Sequence, residues 1–205
     1  MRIGILGGSF NPVHMGHLIL ASDALERAEL DRVLLVPCGI PPHKRTAELA
    51  DSTHRVEMLT AAVADDQRLE VCTLEVERGG VSYTIDTVRE LKRRLGRAEL
   101  WLIMGTDCLY ELHTWKAVYE LLTECNLAVF ARPGEDRLRP ERIRLQPPWP
   151  ERLISGILRG HQVEISSSEI RRRVASGASI RYFVPPPVER YIREHGLYSK
   201  GDHQS

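Results

Sequence analysis

The hydrophobic residues of this chain follow two alternating spacings. Short apolar runs rich in β-branched residues occur six times, as expected for strands buried on both faces. These predicted strands cover residues 2–6, 32–37, 69–76, 100–104, 126–131 and 162–165. Between them, apolar residues recur every three or four positions, which predicts amphipathic helices. The clearest helical stripes are Leu18, Ala21, Leu25 and Ala28, then Val56, Leu59 and Val63, then Ile85, Val88, Leu91 and Leu95.

This alternation predicts an α/β protein with a Rossmann-like, open parallel sheet flanked by helices. We expect a single domain over residues 1–198, with a small helical part at about 166–198 and a disordered tail at 199–205. The last helix should begin at the prolines 185–187 and stop at Gly196. Open parallel sheets bind ligands beyond the carboxyl ends of their strands, so the loops after the strands are where chemistry is expected.

Charge and composition narrow the possible partners. The 28 basic and 28 acidic side chains cancel and are interspersed, so neither nucleic acid nor a membrane surface is expected as a partner. The first apolar run is too short for a signal or membrane helix, which favours a cytoplasmic protein. The four cysteines are too far apart for a disulfide framework or a zinc site, and we expect them to be reduced. The oligomeric state is left open.

The loop after the first predicted strand has the features of an anion site. It contains Gly7, Gly8, Ser9 and Phe10. Glycines let backbone N–H groups approach a phosphate, and the start of the following helix adds partial positive charge. His14 and His17 are three residues apart on the first helical turn, so both imidazoles can donate hydrogen bonds to the same phosphate. Such donors can stabilise charge on a transferring phosphorus without a protein nucleophile.

Simpler interpretations of this loop exist. Glycine-rich turns between a strand and a helix are common, and the glycines alone would suit an ordinary turn. A zinc site on a helix usually has ligands four residues apart with a nearby third ligand, which this loop does not have. The glycines fall at positions 4, 7, 8 and 16, so the G-x-G-x-x-G pattern of dinucleotide-binding dehydrogenases is absent.

Two stretches resemble the signatures of the nucleotidyltransferase superfamily. Residues 8–17 resemble its G-x-F-x-P-x-H-x-G-H motif, and residues 165–171 resemble the I-S-S-T-x-x-R motif of its adenylyl-transferring members. The resemblance implies that Ser167, Ser168 and Arg171 hold the triphosphate of ATP. Ser166 and Glu169 also have the spacing of a helix capping box, which would explain part of the second motif but not Arg171.

Between these signatures the chain resembles bacterial nicotinate mononucleotide adenylyltransferases, from Ile3 to about Tyr198 and least at 135–160. By this resemblance Lys44, in a P-P-H-K loop, contacts phosphate, and Gly105 and Asp107, in a G-x-D motif, bind the nucleotide. Arg132 is implied near the phosphates. The alternatives are solvated loop residues and an ordinary turn at a strand end.

The same resemblance implies an acceptor site. The backbone N–H groups of Thr84 and Ile85 would receive the nicotinate carboxylate, which is reasonable at the start of a helix. Trp115 would stack on the pyridine ring. The alternatives are a helix cap made by Thr84, or by Thr87 with Glu90, and a tryptophan that belongs to the core.

The implied reaction transfers an adenylyl group from ATP to nicotinate mononucleotide, in NAD biosynthesis. The implied catalytic residues are His14, His17, Lys44 and Arg171. Mg²⁺ is expected on the ATP phosphates, held mainly by phosphate oxygens and water, with no protein metal ligands. Nicotinamide mononucleotide and phosphopantetheine remain alternative acceptors. A noncatalytic nucleotide sensor and a tRNA-binding synthetase fragment are alternatives from other classes.

Overall fold

Five parallel strands form the centre of the computed structural model, which describes residues 1–40, 49–131 and 139–199. The strands are β1 (Arg2–Gly8), β2 (Arg32–Pro37), β3 (Leu69–Val71), β4 (Glu99–Gly105) and β5 (Asn126–Phe130). Their order across the sheet is β3-β2-β1-β4-β5, and every neighbouring pair is parallel. The predicted Rossmann-like sheet is confirmed, and the strand order reverses between β1 and β4.

Helices cover both faces of this sheet. In the described part of the chain they are α1 (Met15–Arg27), α2 (Ser52–Val63), α3 (Leu74–Arg78), α4 (Thr84–Leu95), α5 (Thr106–Glu111), α6 (Val118–Glu124), α7 (Trp149–Ser155), α8 (Ser167–Ala175) and α9 (Pro186–Glu194). The three predicted helical stripes fall on α1, α2 and α4. None of these helices is long and apolar enough to cross a membrane.

Alternation of side chains along the strands separates two hydrophobic cores. On β2, Val33 and Leu35 face one core, and Leu34 and Val36 face the other. The first core is covered by α1, α2, α8 and α9, which we call the first layer. The second is covered by α3, α4, α5, α6 and α7, which we call the second layer. The sheet therefore separates the two layers along the length of its strands.

Two strand predictions are wrong. The strand expected at 69–76 keeps only three residues, because β3 is an edge strand paired with β2 alone and the chain then turns into α3, burying Leu74. No strand forms at 162–165. Instead Leu158 bridges to Phe130 of β5, and the chain then leaves the sheet and runs to α8. The two apolar residues of this segment, Val163 and Ile165, line a cleft instead of pairing in a sheet, and Ile165 also packs against the first core.

The chain end follows the predicted pattern as far as the structure describes it. Helix α9 begins at Pro186 and is followed by Gly196 at φ +63°, a conformation that glycine adopts without strain. Both α8 and α9 lie within the helical part expected at 166–198. Of the tail predicted at 199–205, residues 200–205 lie outside the described residues, so its disorder stays a prediction.

The four cysteines, all within the described residues, form no disulfide. Burial raises the pKa of the Cys125 thiol to about 11 and raises that of Cys72 as well. Both are therefore thiols rather than thiolates at neutral pH, as expected for reduced structural cysteines.

A buried guanidinium joins the loops that follow β1 and β2. Arg55 of α2 is only 1% exposed. Its Nη1 donates to the carbonyl oxygens of Ser9 at 3.0 Å and Cys38 at 2.8 Å. Its Nη2 donates to Gly39 at 3.3 Å and its Nε to Ala50 at 3.0 Å. One side chain thus satisfies four carbonyl groups at the carboxyl end of the sheet.

Replacing Arg55 should destabilise the fold. Arg55→Met keeps much of the side-chain volume but leaves buried carbonyl groups without donors, so we expect a loss of about 3 kcal/mol in the free energy of unfolding. Urea unfolding followed by circular dichroism measures this loss. Arg68→Met is the matched control, because Arg68 is exposed and pairs with neighbouring Asp66 at the surface. Equal stabilities of the two variants would contradict the role given to Arg55.

Candidate active site

A cleft of about 750 Å³ opens at the carboxyl end of the sheet. Gly7 and Gly8, at the end of β1, form part of its wall, and Gly105, at the end of β4, forms another. These two strands are the pair between which the strand order reverses. The cleft therefore lies where an open parallel sheet is expected to bind its ligand.

The predicted anion loop forms one side of this cleft. Gly7 is exposed, and a Cβ atom there would meet no atom within 4 Å, so the space in front of its backbone is open. Ser9 also lines the cleft. Phe10 is different, because its ring is fully buried at φ +45° and packs beneath Gly8 and against the His17 ring. It supports the loop from behind rather than forming the cleft wall.

His14 and His17 both line the cleft and fix one another. His14 is the N-cap of α1, and its backbone N–H donates to Nδ1 of His17 at 3.2 Å. Their rings are stacked with centroids 3.7 Å apart. Because Nδ1 of His17 accepts a hydrogen bond, the neutral ring carries its proton on Nε2, where it can be donated to a ligand.

Gly16 explains the spacing of the two histidines. A Cβ atom at this position would lie 3.1 Å from Nδ1 and 3.2 Å from Cε1 of the His14 ring. The glycine therefore makes room for His14 to lie across the start of the helix. Gly16 also lines the cleft, so a side chain here would press against the His14 ring at the cleft wall.

The second signature is anchored on the first loop. Ser167 Oγ donates to the carbonyl of Pro12 at 2.9 Å, and Arg171 Nη1 donates to the carbonyl of Asn11 at 3.0 Å. Arg171 Nη2 also lies 3.4 Å from Ser168 Oγ, and all three side chains line the cleft. The structure thus brings both signatures to one cavity.

The predicted helix cap of the second signature is confirmed. Ser166 is the N-cap of α8, and its hydroxyl accepts a hydrogen bond from the N–H of Glu169 at 3.2 Å. The cap and the contacts to the first loop therefore use different residues of the same short segment.

The two segments predicted to bind the acceptor lie side by side in the second layer. Lys116 Nζ binds Asp86 at 2.9 Å and lies 4.6 Å from the centre of the Tyr83 ring. Trp115 is partly buried against the second core. Thr84 is half-buried and Ile85 is buried at the first turn of α4. These residues are not part of the wall of the 750 Å³ cleft.

The first turn of α4 is not capped in the way the sequence suggested. Its N-cap is Tyr83, whose side chain makes no capping hydrogen bond within the described structure. Thr87 instead donates its hydroxyl proton to Glu75 at 2.6 Å. The alternative interpretation, in which Thr84 or Thr87 caps this helix, is therefore wrong.

Of the remaining predicted site residues, one lines the cleft, one lies outside its wall and two are not among the described residues. Gly105 is the N-cap of α5 and reaches the cleft, whereas Asp107 is exposed on the first turn of α5 and is not part of the cleft wall. Lys44 and Arg132 lie outside the described residues.

Asn11 and Tyr198 help to hold the loop after β1, a role that the sequence did not indicate. Asn11 is 3% exposed, and its Oδ1 accepts hydrogen bonds from the backbone N–H of Ala50 at 3.1 Å and from the Tyr198 hydroxyl at 2.8 Å. Burial raises the pKa of the Tyr198 phenol far above its usual value, so the hydroxyl keeps the proton that it donates. Asn11 lay inside the first signature, but nothing in the sequence linked it to a tyrosine 187 residues away.

A carboxylate and an imidazole also face each other at this cleft, and neither was predicted. Asp23 of α1 is 3% exposed, and His161 lies in the segment between β5 and α8. Asp23 accepts from the backbone N–H of His161 at 2.6 Å and pairs with its Nδ1 at 2.8 Å. The sequence offered one indication that Asp23 belongs to the site, namely its position on the same helix as His17, six residues further on.

The described residues hold no group of three or more histidine, cysteine, aspartate or glutamate side chains that could bind a metal. Asp23 is the one carboxylate among the described residues of the cleft wall, and both of its oxygens accept hydrogen bonds from His161.

Comparison with known proteins agrees with this geometry. The profile of the cytidylyltransferase-like family matches residues 5–173. A probable nicotinate-nucleotide adenylyltransferase of Halalkalibacterium halodurans is 42% identical over 202 residues, covering 98% of this chain and 93% of the relative. A protein with the same name from a strain of Thermus thermophilus is 45% identical over 198 residues, covering 97% and 100%.

Solved structures share the fold. The nicotinic acid mononucleotide adenylyltransferase of Plasmodium falciparum, in complex with NaAD, superimposes with a TM-score of 0.77 at 20% identity, covering 96% of this chain and 97% of the other. A putative nicotinate-nucleotide adenylyltransferase from Vibrio parahaemolyticus gives a TM-score of 0.70 at 18% identity, covering 98% and 97%. With its two signatures meeting at one cleft and its profile matched over most of its length, the chain belongs to the cytidylyltransferase-like family.

Proposed function

We propose that this protein transfers the adenylyl group of ATP to nicotinate mononucleotide, giving nicotinate adenine dinucleotide and pyrophosphate in NAD biosynthesis. The observation that carries the proposal is the union of the two signatures, in which Ser167 and Arg171 bind the loop that leads into His14 and His17. Curated relatives that match nearly the whole chain at about 40% identity carry the name of this activity.

The loop after β1 and the first layer hold the phosphates of ATP in this proposal. The phosphates lie against Gly7 and Gly8, where backbone N–H groups and the start of α1 favour negative charge. His17 donates its Nε2 proton to an oxygen of the α-phosphate, and His14 supports its ring. Ser9, Ser167, Ser168 and Arg171, together with Lys44 and Arg132, make the further phosphate contacts. Gly105 and Asp107 bind the nucleotide itself, with the Asp107 carboxylate accepting hydrogen bonds from its hydroxyl groups.

The reaction needs no protein nucleophile. A phosphate oxygen of the mononucleotide attacks the α-phosphorus of ATP, and a new P–O bond forms as the bond to the bridging oxygen of the β-phosphate breaks. Pyrophosphate leaves with that electron pair. Catalysis then rests on alignment and on donors that stabilise charge at the α-phosphate as the bonds change, which is the role given to His17.

The second layer holds the acceptor. The nicotinate carboxylate binds the N–H groups of Thr84 and Ile85, because the first turn of α4 lacks a side-chain cap from Tyr83 and carries partial positive charge. Trp115 stacks on the pyridine ring, held beside α4 by the ion pair between Lys116 and Asp86.

Mg²⁺ would enter on the phosphates of ATP rather than through protein ligands. The donors that line the cleft are mostly N–H groups and hydroxyls, and Asp23 is already engaged by His161. This set suits a cation that keeps water and phosphate oxygens as its ligands. When bound, the ion would neutralise charge on the pyrophosphate.

An acceptor panel tests the substrate. With ATP and Mg²⁺, nicotinate mononucleotide should give the highest kcat/KM, and nicotinamide mononucleotide should be slower by on the order of tenfold, because it lacks the charge that α4 favours. Product formation is followed by chromatography and by pyrophosphate release. Turnover of phosphopantetheine but not of nicotinate mononucleotide would contradict the assignment and leave the family membership intact.

His17 should act mainly in the transition state. We expect His17→Ala to lower kcat by on the order of a hundredfold or more, as for loss of a donor to developing negative charge. Steady-state kinetics with both substrates measures this change. Ser22→Ala, on the exposed side of the same helix, is the matched control and should keep normal turnover. Near-normal kcat in His17→Ala would remove His17 from this role.

Trp115 should act on the acceptor alone. Trp115→Ala should raise KM for the mononucleotide by on the order of tenfold, since stacking on one aromatic ring contributes about 1–3 kcal/mol. The KM for ATP should stay constant. Trp149→Ala, in α7, removes a tryptophan outside both proposed substrate sites. An effect confined to ATP would refute the stacking role.

A further inference from the structure

The pair formed by Asp23 and His161 is a built feature of the cleft that the proposed reaction does not use. Asp23 is buried and only 3% exposed, whereas the His161 side chain is 70% exposed and lines the cleft. The carboxylate takes one hydrogen bond from the His161 backbone and one from its ring. The imidazole is therefore fixed in place while one of its sides stays accessible to a ligand.

A glycine makes this approach possible. At Gly160 a Cβ atom would lie 2.6 Å from Oδ2 of Asp23 and 2.9 Å from Cδ1 of Phe130. Either contact is too short for a real side chain, so any other residue would push the segment away from α1. The backbone that carries His161 can reach Asp23 because this position has no side chain.

The hydrogen bonds also decide which ring nitrogen carries the proton. An ionised carboxylate only accepts, so Nδ1 of His161 is the donor in its 2.8 Å contact with Asp23. In the neutral ring, Nε2 then has a lone pair and no proton. Since Nδ1 faces the buried carboxylate, Nε2 is on the accessible side of the ring. The cleft thus contains a fixed hydrogen-bond acceptor.

This acceptor lies in the same cleft as the proposed phosphate site, at a distance that suits the far end of a nucleotide. Asp23 follows His17 by six residues, which is about 9 Å along α1. Leu20 lies between them on α1, and Leu20, Phe130 and Val163 are among the apolar side chains that line the cleft. With phosphate at His17, an apolar wall follows where a flat purine ring would lie. His161 also lines the cleft, and it would then lie at the edge of that ring.

We propose that His161, positioned by Asp23, accepts a hydrogen bond from the 6-amino group of the purine and so selects adenine over 6-oxo purines. A 6-oxo group would place a second acceptor against the lone pair of Nε2 and leave both without a donor, which is unfavourable. His161 is the specificity-determining residue and Asp23 is a positioning residue. The inference rests on the proposed function, since it takes the phosphates to lie at His17.

The test compares three nucleoside triphosphates with saturating nicotinate mononucleotide. They are ATP, inosine triphosphate, which has a 6-oxo group, and purine riboside triphosphate, which has no 6-substituent. In wild-type protein ATP should be preferred over both. His161→Ala should reduce the ATP to inosine triphosphate ratio of kcat/KM by on the order of tenfold, mainly through KM for ATP. It should also remove most of the preference for ATP over purine riboside triphosphate.

Asp23→Asn tests the positioning role more sharply. The amide oxygen can still accept from the His161 backbone, but its NH₂ group then faces Nδ1 and donates to it. The proton of the ring moves to Nε2, which becomes a donor and favours a 6-oxo group. The preference should therefore shift towards inosine triphosphate, a change that simple loss of packing would not produce. His195→Ala, which removes an exposed imidazole outside the cleft wall, should leave the ratio unchanged.

The ratio of two substrates is independent of any inactive fraction, so reduced folding of a variant does not hide the result. A wild-type ratio in His161→Ala would overturn the proposal, and an equal loss with both nucleotides in Asp23→Asn would overturn the role of Asp23. Calorimetric Kd values for ATP and inosine triphosphate, measured without acceptor, provide the same comparison. If wild-type protein forms no dinucleotide but binds ATP with this preference, the proposed reaction fails and the role of His161 stands.

Discussion

A polyphosphate can approach the loop after β1 only if the carbonyl oxygens of that loop are turned towards donors. Three of them are held in this way, with Ser9 bound by Arg55, Asn11 by Arg171 and Pro12 by Ser167. Unpaired carbonyl oxygens would repel an anion and would be costly to bury. The guanidinium groups of Arg55 and Arg171 and the hydroxyl of Ser167 bind these carbonyl oxygens. The positive charge of the two guanidinium groups also favours a phosphate nearby.

This requirement explains why distant parts of the chain converge on one loop. Arg55 comes from α2, Ser167 and Arg171 come from α8, and Tyr198 reaches Asn11 from beyond α9. The helical part at the end of the chain therefore completes the site as well as covering the first core. Residues of the second signature that were expected to serve ATP also have a structural role before any ligand is bound.

Much of the fold could be predicted because period and spacing are local properties. Strands β1, β2, β4 and β5, the stripes of α1, α2 and α4, and the cap at Ser166 all follow from neighbouring residues. The segment at 162–165 misled because apolar residues that line a cleft have the same local pattern as a strand. The partners of Arg55, Asn11 and Asp23 could not be predicted, since each contact joins residues brought together only by the strand order. The motif correctly placed His14 and His17 at the cleft. Thr84 and Trp115 lie outside the cleft wall.

The separation of the two layers has a consequence for how such an enzyme can change. Helices α1, which carries His17, and α8 pack on one face of the sheet, and α4 and Trp115 pack on the other. In the proposed arrangement the donor and the acceptor of the adenylyl group share no side chains until their reacting atoms meet. The second layer can then change in sequence to bind a different acceptor phosphate, while the residues that bind the triphosphate stay the same. The same transfer reaction at the carboxyl end of the sheet could in this way be combined with different acceptors.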